Sequence, residues 1–203
     1  MPCQHRFHDI LMPQQDRLRF LFIGTFNPEW DAANANNANY FYGRASSLFW
    51  CILPHAFNDN CLVDKEREEW EEFCAANNIG LTDIISCVTN ADQNNQEHID
   101  LLTLGFKDDN LDKKTNGQFT FNLDFTTQQL TQLIDDNHQT LRGVFFTRST
   151  NQGIGRIWQQ WQNVSQHCQN LGIYSNGLPT PSTRGGTIRN KIFTWRQEIQ
   201  NCM

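Results

Sequence analysis

The sequence predicts an α/β fold, a three-layer sandwich in which helices flank a central, mainly parallel sheet of four strands. Short apolar runs that stop at a glycine or a polar residue, such as Arg17–Gly24, are typical of buried parallel strands. They alternate with longer segments whose apolar residues recur at helical spacing. The chain has 203 residues without an internal repeat or a linker, so we expect residues 1–203 to form a single domain.

Five segments have strand character, because they are short, rich in apolar residues and bounded by turn residues. They are Arg17–Gly24, the strand and following loop within Ile79–Val88, the alternating segment Gln118–Leu123, Arg142–Thr147 and Ile173–Leu178.

Helical spacing of apolar residues defines five clear helices and one shorter helix. They are Ser46–Phe57, Asp64–Asn77 with Asp64 as its cap, a short helix near His98–Leu104, Thr126–Asn137, Ile154–Leu171 and Thr187–Gln200. We expect the last helix to bury Ile188, Ile192, Phe193 and Trp195.

The charge of the chain is unevenly distributed. The net charge of −6 by itself argues against a nucleic-acid ligand. From Thr140 to Met203, however, seven basic residues accompany one acidic residue, a local net charge of +6. Chance clustering on solvated faces explains such a segment as well as a binding surface does. If the segment contacts an anionic ligand, a basic stripe should border the binding loops.

The cysteines and histidines suggest no metal centre. Seven cysteines, none in a Cys-x-x-Cys pair, indicate neither a zinc ribbon, an iron–sulfur cluster nor a disulfide framework. Cys3, His5 and His8 are close enough in sequence to be candidate metal ligands. We expect this terminus to be mobile, however, and a zinc site needs three or four ligands in fixed positions. We therefore expect no metal or other cofactor.

The chain has no window of about 18 uninterrupted apolar residues, so we expect no membrane-spanning helix and no membrane partner. The N-terminal residues lack the basic-then-apolar pattern of a signal peptide, which predicts a cytoplasmic protein. We also expect a monomer.

Two loops carry most of the polar chemistry at predicted strand ends, where ligands bind in parallel sheets. The first is Gly24–Asn39. Gly24 permits close approach to the backbone, and Pro28 restricts the direction of the Asn27 amide, which can both donate and accept hydrogen bonds. The alternative is that Asn27-Pro28 forms a turn and has no functional role.

The second loop is Pro179–Gly186, in which two prolines stiffen the chain while hydroxyls and glycines expose donors that can grip an anion. A nucleophilic role for Ser182 is excluded because no Gly-x-Ser-x-Gly elbow surrounds it. Between the two loops, Tyr40–Arg44 combines aromatic residues with an arginine; these aromatics suit either core packing or stacking on a base.

Four segments, in order, carry a resemblance to a known family: Gly24–Pro28, Tyr42–Trp50, Gly80–Thr82 and Leu178–Arg184. They are similar to the Gly-x-Asn-Pro-Gly motif, the aromatic segment ending in Phe-Trp, the Gly-Ile/Val-Thr segment and the Leu/Met-Pro-x-x-Ser-x-Arg/Leu motif of the uracil-DNA glycosylase superfamily. The chain resembles most its mismatch-specific uracil and thymine-DNA glycosylase branch, over about residues 18–200.

The resemblance implies a uracil-DNA glycosylase-like fold, DNA that contains uracil or a mismatch as partner, and a role for each matched residue. Asn27 would hold the water that attacks C1′ of a flipped nucleotide. The base pocket would be lined by Gly24 and by the backbone beside Phe26 and Pro28, with Tyr42 stacking on the base. The DNA backbone would be contacted by Thr180, Ser182 and Thr183, and Arg184 would fill the gap left in the base stack.

The function that we predict is hydrolysis of the N-glycosidic bond of a flipped uracil, or a related damaged or mismatched pyrimidine, in base-excision repair. An extra residue before Asn27, and Glu29 in place of the family's glycine, favour an alternative: a catalytically weak or inactive nucleic-acid-binding protein of the same fold. A third hypothesis is a protein that binds a nucleotide or another small anion. Glu29 and Asp31 are alternative bases ranked below Asn27, and Asp83 is either a functional carboxylate or the cap of a turn.

Overall fold

The computed structural model describes residues 1–31, 33–34, 40–103 and 106–203, and its centre is a parallel sheet. These ranges contain nine strands: β1 (Cys3–Gln4), β2 (Phe20–Gly24), β3 (Ile79–Asp83), β4 (Ile85–Val88), β5 (Lys114–Thr115), β6 (Gln118–Phe119), β7 (Leu123–Phe125), β8 (Gly143–Phe146) and β9 (Tyr174–Gly177). The six α-helices among the described residues are α1 (Phe49–Ala56), α2 (Arg67–Asn77), α3 (Gln96–Leu102), α4 (Thr127–Asn137), α5 (Gly155–Asn170) and α6 (Ile188–Gln200).

The central sheet has the strand order β3-β2-β8-β9, and all its neighbours are parallel. The predicted α/β class and four-stranded parallel sheet are confirmed. Strands β1, β4 and β7 form a separate antiparallel sheet, and β5 and β6 form a two-stranded hairpin.

The two faces of the central sheet bury different sets of helices, as the alternation of side chains along a strand requires. Leu21 and Ile23 of β2 belong to one core, together with residues of α4 and α5. Phe20 and Phe22 belong to the other core, which contains residues of α1, α2 and α6. This arrangement is compatible with a three-layer sandwich.

Aromatic rings dominate the second core. Phe22 is fully buried, and its ring stacks on Phe145 at a centroid distance of 5.2 Å and on Trp195 at 5.7 Å. The Trp195 indole also donates a hydrogen bond of 2.9 Å to the carbonyl oxygen of Pro179. The core is thus connected directly to the start of the Pro179–Gly186 loop.

Two predicted strands are divided between sheets. Ile79–Val88 contains β3, in the parallel sheet, and β4, which pairs with β1 and β7 instead. Gln118–Leu123 is likewise split, because its first two residues form β6 and its last residue begins β7, which pairs with β4. A tight turn, in which Asn116 and Gly117 take positive φ angles of 53° and 81°, folds β6 back onto β5. Local apolar content does not reveal which neighbour a strand will find.

The helices differ from the prediction at their ends and on one face. Glu66, and not Asp64, caps α2 through a reciprocal capping box with Glu69. Trp195 of α6 is buried as expected. The expectation was wrong for Ile188 and Phe193, which are 37% and 61% exposed, because the buried face of α6 is completed by Lys191 and Ile199.

The expectation of a mobile N-terminus was also wrong. Cys3 and His5 are fully buried, because β1 pairs with β4 and His5 forms a β-bridge with Pro28. Cys51 and Cys61 are paired as a disulfide, which the sequence pattern did not indicate. Within the described ranges, no group of three or more metal-ligating side chains comes together, and no helix is long and apolar enough to cross a membrane.

Replacing Phe22 by alanine should destabilise the protein by about 3–5 kcal/mol, because a buried ring between two stacked aromatics leaves a cavity. Phe193→Ala, on the exposed face of α6, should change the free energy of unfolding by less than about 0.5 kcal/mol. Urea denaturation followed by tryptophan fluorescence measures both. Equal losses in the two variants would contradict this account of the core.

Candidate functional site

A cleft of about 510 Å³ lies at the carboxyl edge of the parallel sheet. The ends of β2 and β3 and the segments that follow β8 and β9 all contribute to its lining. The strand order reverses at this edge, since the chain passes from β2 to β3 on one side and then to β8 on the other. Such a switch point is where parallel sheets open a crevice for ligands.

The register of the sheet places three residues in one layer on the floor of the cleft. Gly24 is the ladder partner of Asp83, and Thr147 follows Phe146, the partner of Ile23. Gly24 has no side chain, and other side chains occupy the space where its Cβ would lie. A Cβ at this position would lie 2.1 Å from Oδ1 of Asp83 and 2.8 Å from the hydroxyl of Tyr42. The close approach expected at Gly24 is therefore made by the protein's own Asp83.

The Asp83 carboxylate is buried, with its side chain 3% exposed, and two donors meet on one of its oxygens. Its Oδ2 lies 2.7 Å from Nε2 of His5 and 2.7 Å from Nδ2 of Asn27. The backbone N–H of Phe7 donates to Nδ1 of His5 at 3.0 Å, so the imidazole proton lies on Nε2 and points at Asp83. Both ring nitrogens of His5 are thus engaged, and Nε2 is the donor to Asp83.

The same contacts orient the Asn27 amide. Its NH₂ group faces a carboxylate, which only accepts hydrogen bonds, so its own oxygen is left for the cleft that Asn27 lines. The backbone of this loop is held as well, because the N–H of Arg6 donates to the carbonyl oxygen of Asn27 at 2.7 Å. The ring of Phe26, the residue before Asn27, packs edge-on against the rings of His5 and Phe106.

Tyr42 forms an aromatic wall of the cleft. Its ring stacks face to face on Phe49 at a centroid distance of 3.8 Å, and its hydroxyl lies 3.3 Å from Oγ1 of Thr147. Burial, reinforced by the negative charge of Asp83, raises the pKa of Tyr42 well above its ordinary value. The phenol of Tyr42 therefore stays neutral.

Sequence reasoning missed the opposite wall, which consists of Asp108 and Arg148. Nη1 of Arg148 donates to Oδ2 of Asp108 at 3.0 Å, and Nη2 reaches Asp109 at 3.4 Å. Burial raises the pKa of the Asp108 carboxyl, while Arg148 and the Thr25 hydroxyl act in the opposite direction. Asp108 lies in a region where no helix or strand was predicted, so no periodicity pointed to it.

The Pro179–Gly186 loop closes the remaining side and is docked on the chain that precedes α1. The carbonyl oxygen of Pro181 accepts from the N–H of Leu48, the N–H of Thr183 donates to the carbonyl oxygen of Ser46 at 3.1 Å, and Ser182 forms a β-bridge with Ser47. The loop is therefore held in place before any ligand arrives.

A buried lysine stabilises the Pro179–Gly186 loop by hydrogen bonds to its backbone. Lys191 is 3% exposed, and its ammonium group donates to the carbonyl oxygens of Ser182 and Arg184. Burial lowers its pKa. The positive charge therefore holds the loop together and is withdrawn from the surface.

The lining of the cleft is mixed in charge and does not form a basic stripe. Its cationic side chains are Arg44, Lys107, Arg148 and Arg184, and its acidic ones are Asp83, Asp108 and Asp109. Arg148 is paired with Asp108, and Arg44 lies 3.8 Å from Asp31. Two more members of the basic segment serve structural contacts, Arg156 to Asp112 and Arg196 to the carbonyl oxygen of His55. The expected excess of positive charge thus reaches the cleft only in part.

The structure brings most of the predicted site residues to this cleft. Those that line it are Gly24, Phe26, Asn27, Tyr42, Thr180, Ser182, Thr183 and Arg184. Pro28 is buried beside His5 and does not line the cleft. Glu29 is exposed elsewhere, and Asp31 is buried near Arg44, so neither alternative base faces the cleft.

The free thiols offer no nucleophile to this site. Burial raises the pKa of Cys3 to about 11 and that of Cys168 to about 12, and it also raises the pKa of Cys87. None of the described cysteines lines the cleft.

No family model matches this chain, no curated protein matches it, and no solved structure matches it.

Replacing Gly24 by alanine should destabilise the protein by about 1–3 kcal/mol and displace the Asp83 carboxylate, because the new methyl group overlaps Oδ1. Gly155→Ala is the matched control: its Cβ would meet only one atom, at 3.9 Å, at the first residue of α5. It should be neutral or stabilising by up to about 1 kcal/mol. Thermal unfolding followed by circular dichroism compares the two, and a Gly24→Ala protein as stable as Gly155→Ala would refute the crowding at Gly24.

Proposed function

We propose that this protein is a monofunctional DNA glycosylase, which hydrolyses the N-glycosidic bond of a flipped uracil or a related damaged or mismatched pyrimidine. One observation carries the proposal: the Asn27 amide is held by a buried carboxylate so that its oxygen faces a cleft with an aromatic wall. The resemblance of the surrounding motifs to the uracil-DNA glycosylase superfamily supports it.

In this proposal the extruded base enters the cleft beside Tyr42, and its sugar lies against Asn27. The Asn27 oxygen accepts a hydrogen bond from the attacking water and holds it against C1′. As the glycosidic bond breaks, the sugar gains positive charge and the base leaves as an anion. In this proposal the negative charge of Asp83, which lines the same cleft, stabilises the positive charge on the sugar.

The DNA backbone lies across the Pro179–Gly186 loop in this proposal. Thr180, Thr183 and Arg184 are exposed, and the loop is already docked, so phosphate binding costs little ordering. Arg184 forms no ion pair with any described residue, so its guanidinium is available for a phosphate or for the gap in the base stack.

One observation favours the alternative of a DNA-binding protein that does not cleave. Three carboxylates, Asp83, Asp108 and Asp109, line the cleft, and an unneutralised carboxylate opposes the departure of an anionic base. Arg148 offsets two of them. The alternative predicts salt-dependent DNA binding without an abasic product.

The test of the proposed function is release of free base from oligonucleotides that contain uracil in a single strand, in a U·G pair and in a U·A pair. Wild type should leave an abasic site that alkali cleaves. Asn27→Ala should lower the single-turnover rate by about 100-fold or more, since positioning of the water is lost. Asn163→Ala, an exposed asparagine on α5, should match wild type. If wild type releases no base from any of these substrates, or from a T·G duplex, the proposed uracil or thymine activity is excluded.

Arg184→Ala should weaken binding to a duplex oligonucleotide and reduce the slope of log K against log salt by about 1, because one phosphate contact disappears. Arg142→Ala is the control, since Arg142 is exposed at the opposite edge of the sheet, just before β8. Fluorescence anisotropy over a salt series measures both slopes. Equal slopes for the two variants would remove the Pro179–Gly186 loop from the DNA interface.

A further inference from the structure

We propose that Asp83 is the general base of this site and that its free oxygen, Oδ1, removes the proton of the water that Asn27 holds. The inference rests on the proposed function and adds a catalytic residue to it. It also gives His5 a positioning role.

The two oxygens of Asp83 have different surroundings. Oδ2 receives both side-chain donors, His5 and Asn27. Among the described residues none donates a hydrogen bond to Oδ1, which lies over Gly24 on the floor of the cleft. The carboxylate thus has one oxygen that anchors it and one that faces the space where a ligand binds.

The anchoring fixes the orientation of the Asp83 carboxylate. Two N–H donors directed at Oδ2 hold the plane of the group, so Oδ1 keeps its place over Gly24. His5 offers the water no free ring nitrogen, because its Nδ1 accepts from the N–H of Phe7 and its Nε2 faces Oδ2 of Asp83. The proton from the water therefore has one acceptor at this end of the cleft.

The other polar groups in the cleft are less suited to act as the base. An amide such as Asn27 has no useful basicity and can only hold the water. Asp108 is engaged by Arg148 and by the Thr25 hydroxyl. The Tyr42 phenol is neutral, with a raised pKa.

The chemical step balances without a further reactant. The water oxygen forms a bond to C1′ while the bond from C1′ to the base nitrogen breaks, and the electron pair of that bond leaves with the base. One water proton moves to Oδ1 of Asp83, and the products are a 1′-hydroxyl sugar and the anionic base. The proton then passes to the base or to solvent as the site opens.

Asp83→Asn is a sharp test, because the asparagine can keep both anchoring hydrogen bonds. Its side-chain oxygen can take the place of Oδ2 and accept from His5 and Asn27, which leaves an NH₂ group where Oδ1 faced the cleft. The single-turnover rate on a U·G duplex should fall about 100- to 10,000-fold, the usual contribution of a general base. Binding of a duplex that carries 2′-fluoro-2′-deoxyuridine, whose glycosidic bond resists hydrolysis, should be unchanged or tighter.

The split between rate and binding separates catalysis from structure. Asn27 and Tyr42 line the same cleft as Asp83, and Asn27 is held by it. A lower rate in Asp83→Asn with unchanged binding of the 2′-fluoro duplex assigns Asp83 to the chemical step. A purely structural role for Asp83 would weaken that binding together with the rate, because the cleft itself would be disturbed.

The outcomes distinguish this inference from the proposed function. If wild type and Asp83→Asn release base at the same rate while Asn27→Ala does not, the glycosylase activity stands and Asp83 is not the base. Binding of the 2′-fluoro duplex that weakens in Asp83→Asn in parallel with the rate overturns the inference in the same way. If wild type itself releases no base, it is the proposed function that fails.

Discussion

The pair of hydrogen bonds that His5 and Asn27 donate to one oxygen of Asp83 is the interaction on which the cleft depends. A buried carboxylate is costly unless donors satisfy it, so Asp83 constrains whatever packs around it. Through this contact the N-terminal strand, the loop after β2 and the end of β3 are fixed relative to one another. The pairing of β1 with β4 and the bridge between His5 and Pro28 reinforce it. The short N-terminal strand is thereby a structural part of the site.

A continuous series of ring contacts connects the second core to the aromatic wall of the cleft. Phe22 stacks on Trp195, Trp195 packs edge-on against Phe49, and Phe49 stacks on Tyr42. The Trp195 indole also holds the carbonyl oxygen of Pro179, at the root of the second loop. Both the stacking wall and the proposed backbone-binding loop therefore rest on side chains that are buried in the sheet's second core, which preorganises them for a ligand.

Positive charge near the site serves mainly to build it. Arg148 and Arg156 hold the acidic segment 108–112, and Lys191 satisfies the carbonyl oxygens of the second loop. Arg184 is left at the tip of that loop, exposed and without an ion pair to any described residue. If the proposed function holds, electrostatic attraction to the DNA backbone is concentrated at this one loop.

The sequence by itself determined the α/β class and the positions of most helices and strands, because apolar spacing and turn residues are local signals. It also singled out Asn27, Tyr42 and the Thr180–Arg184 segment, which line the cleft, through motifs whose residues are close together in the chain. The tertiary structure alone decided that His5 and Asp83, 78 positions apart, meet in a buried pair, that Asp108 and Arg148 form a wall, and that Lys191 is buried. Those contacts follow from strand register and strand order, and residues far apart in sequence leave no periodic signal of the neighbours that the sheet will give them.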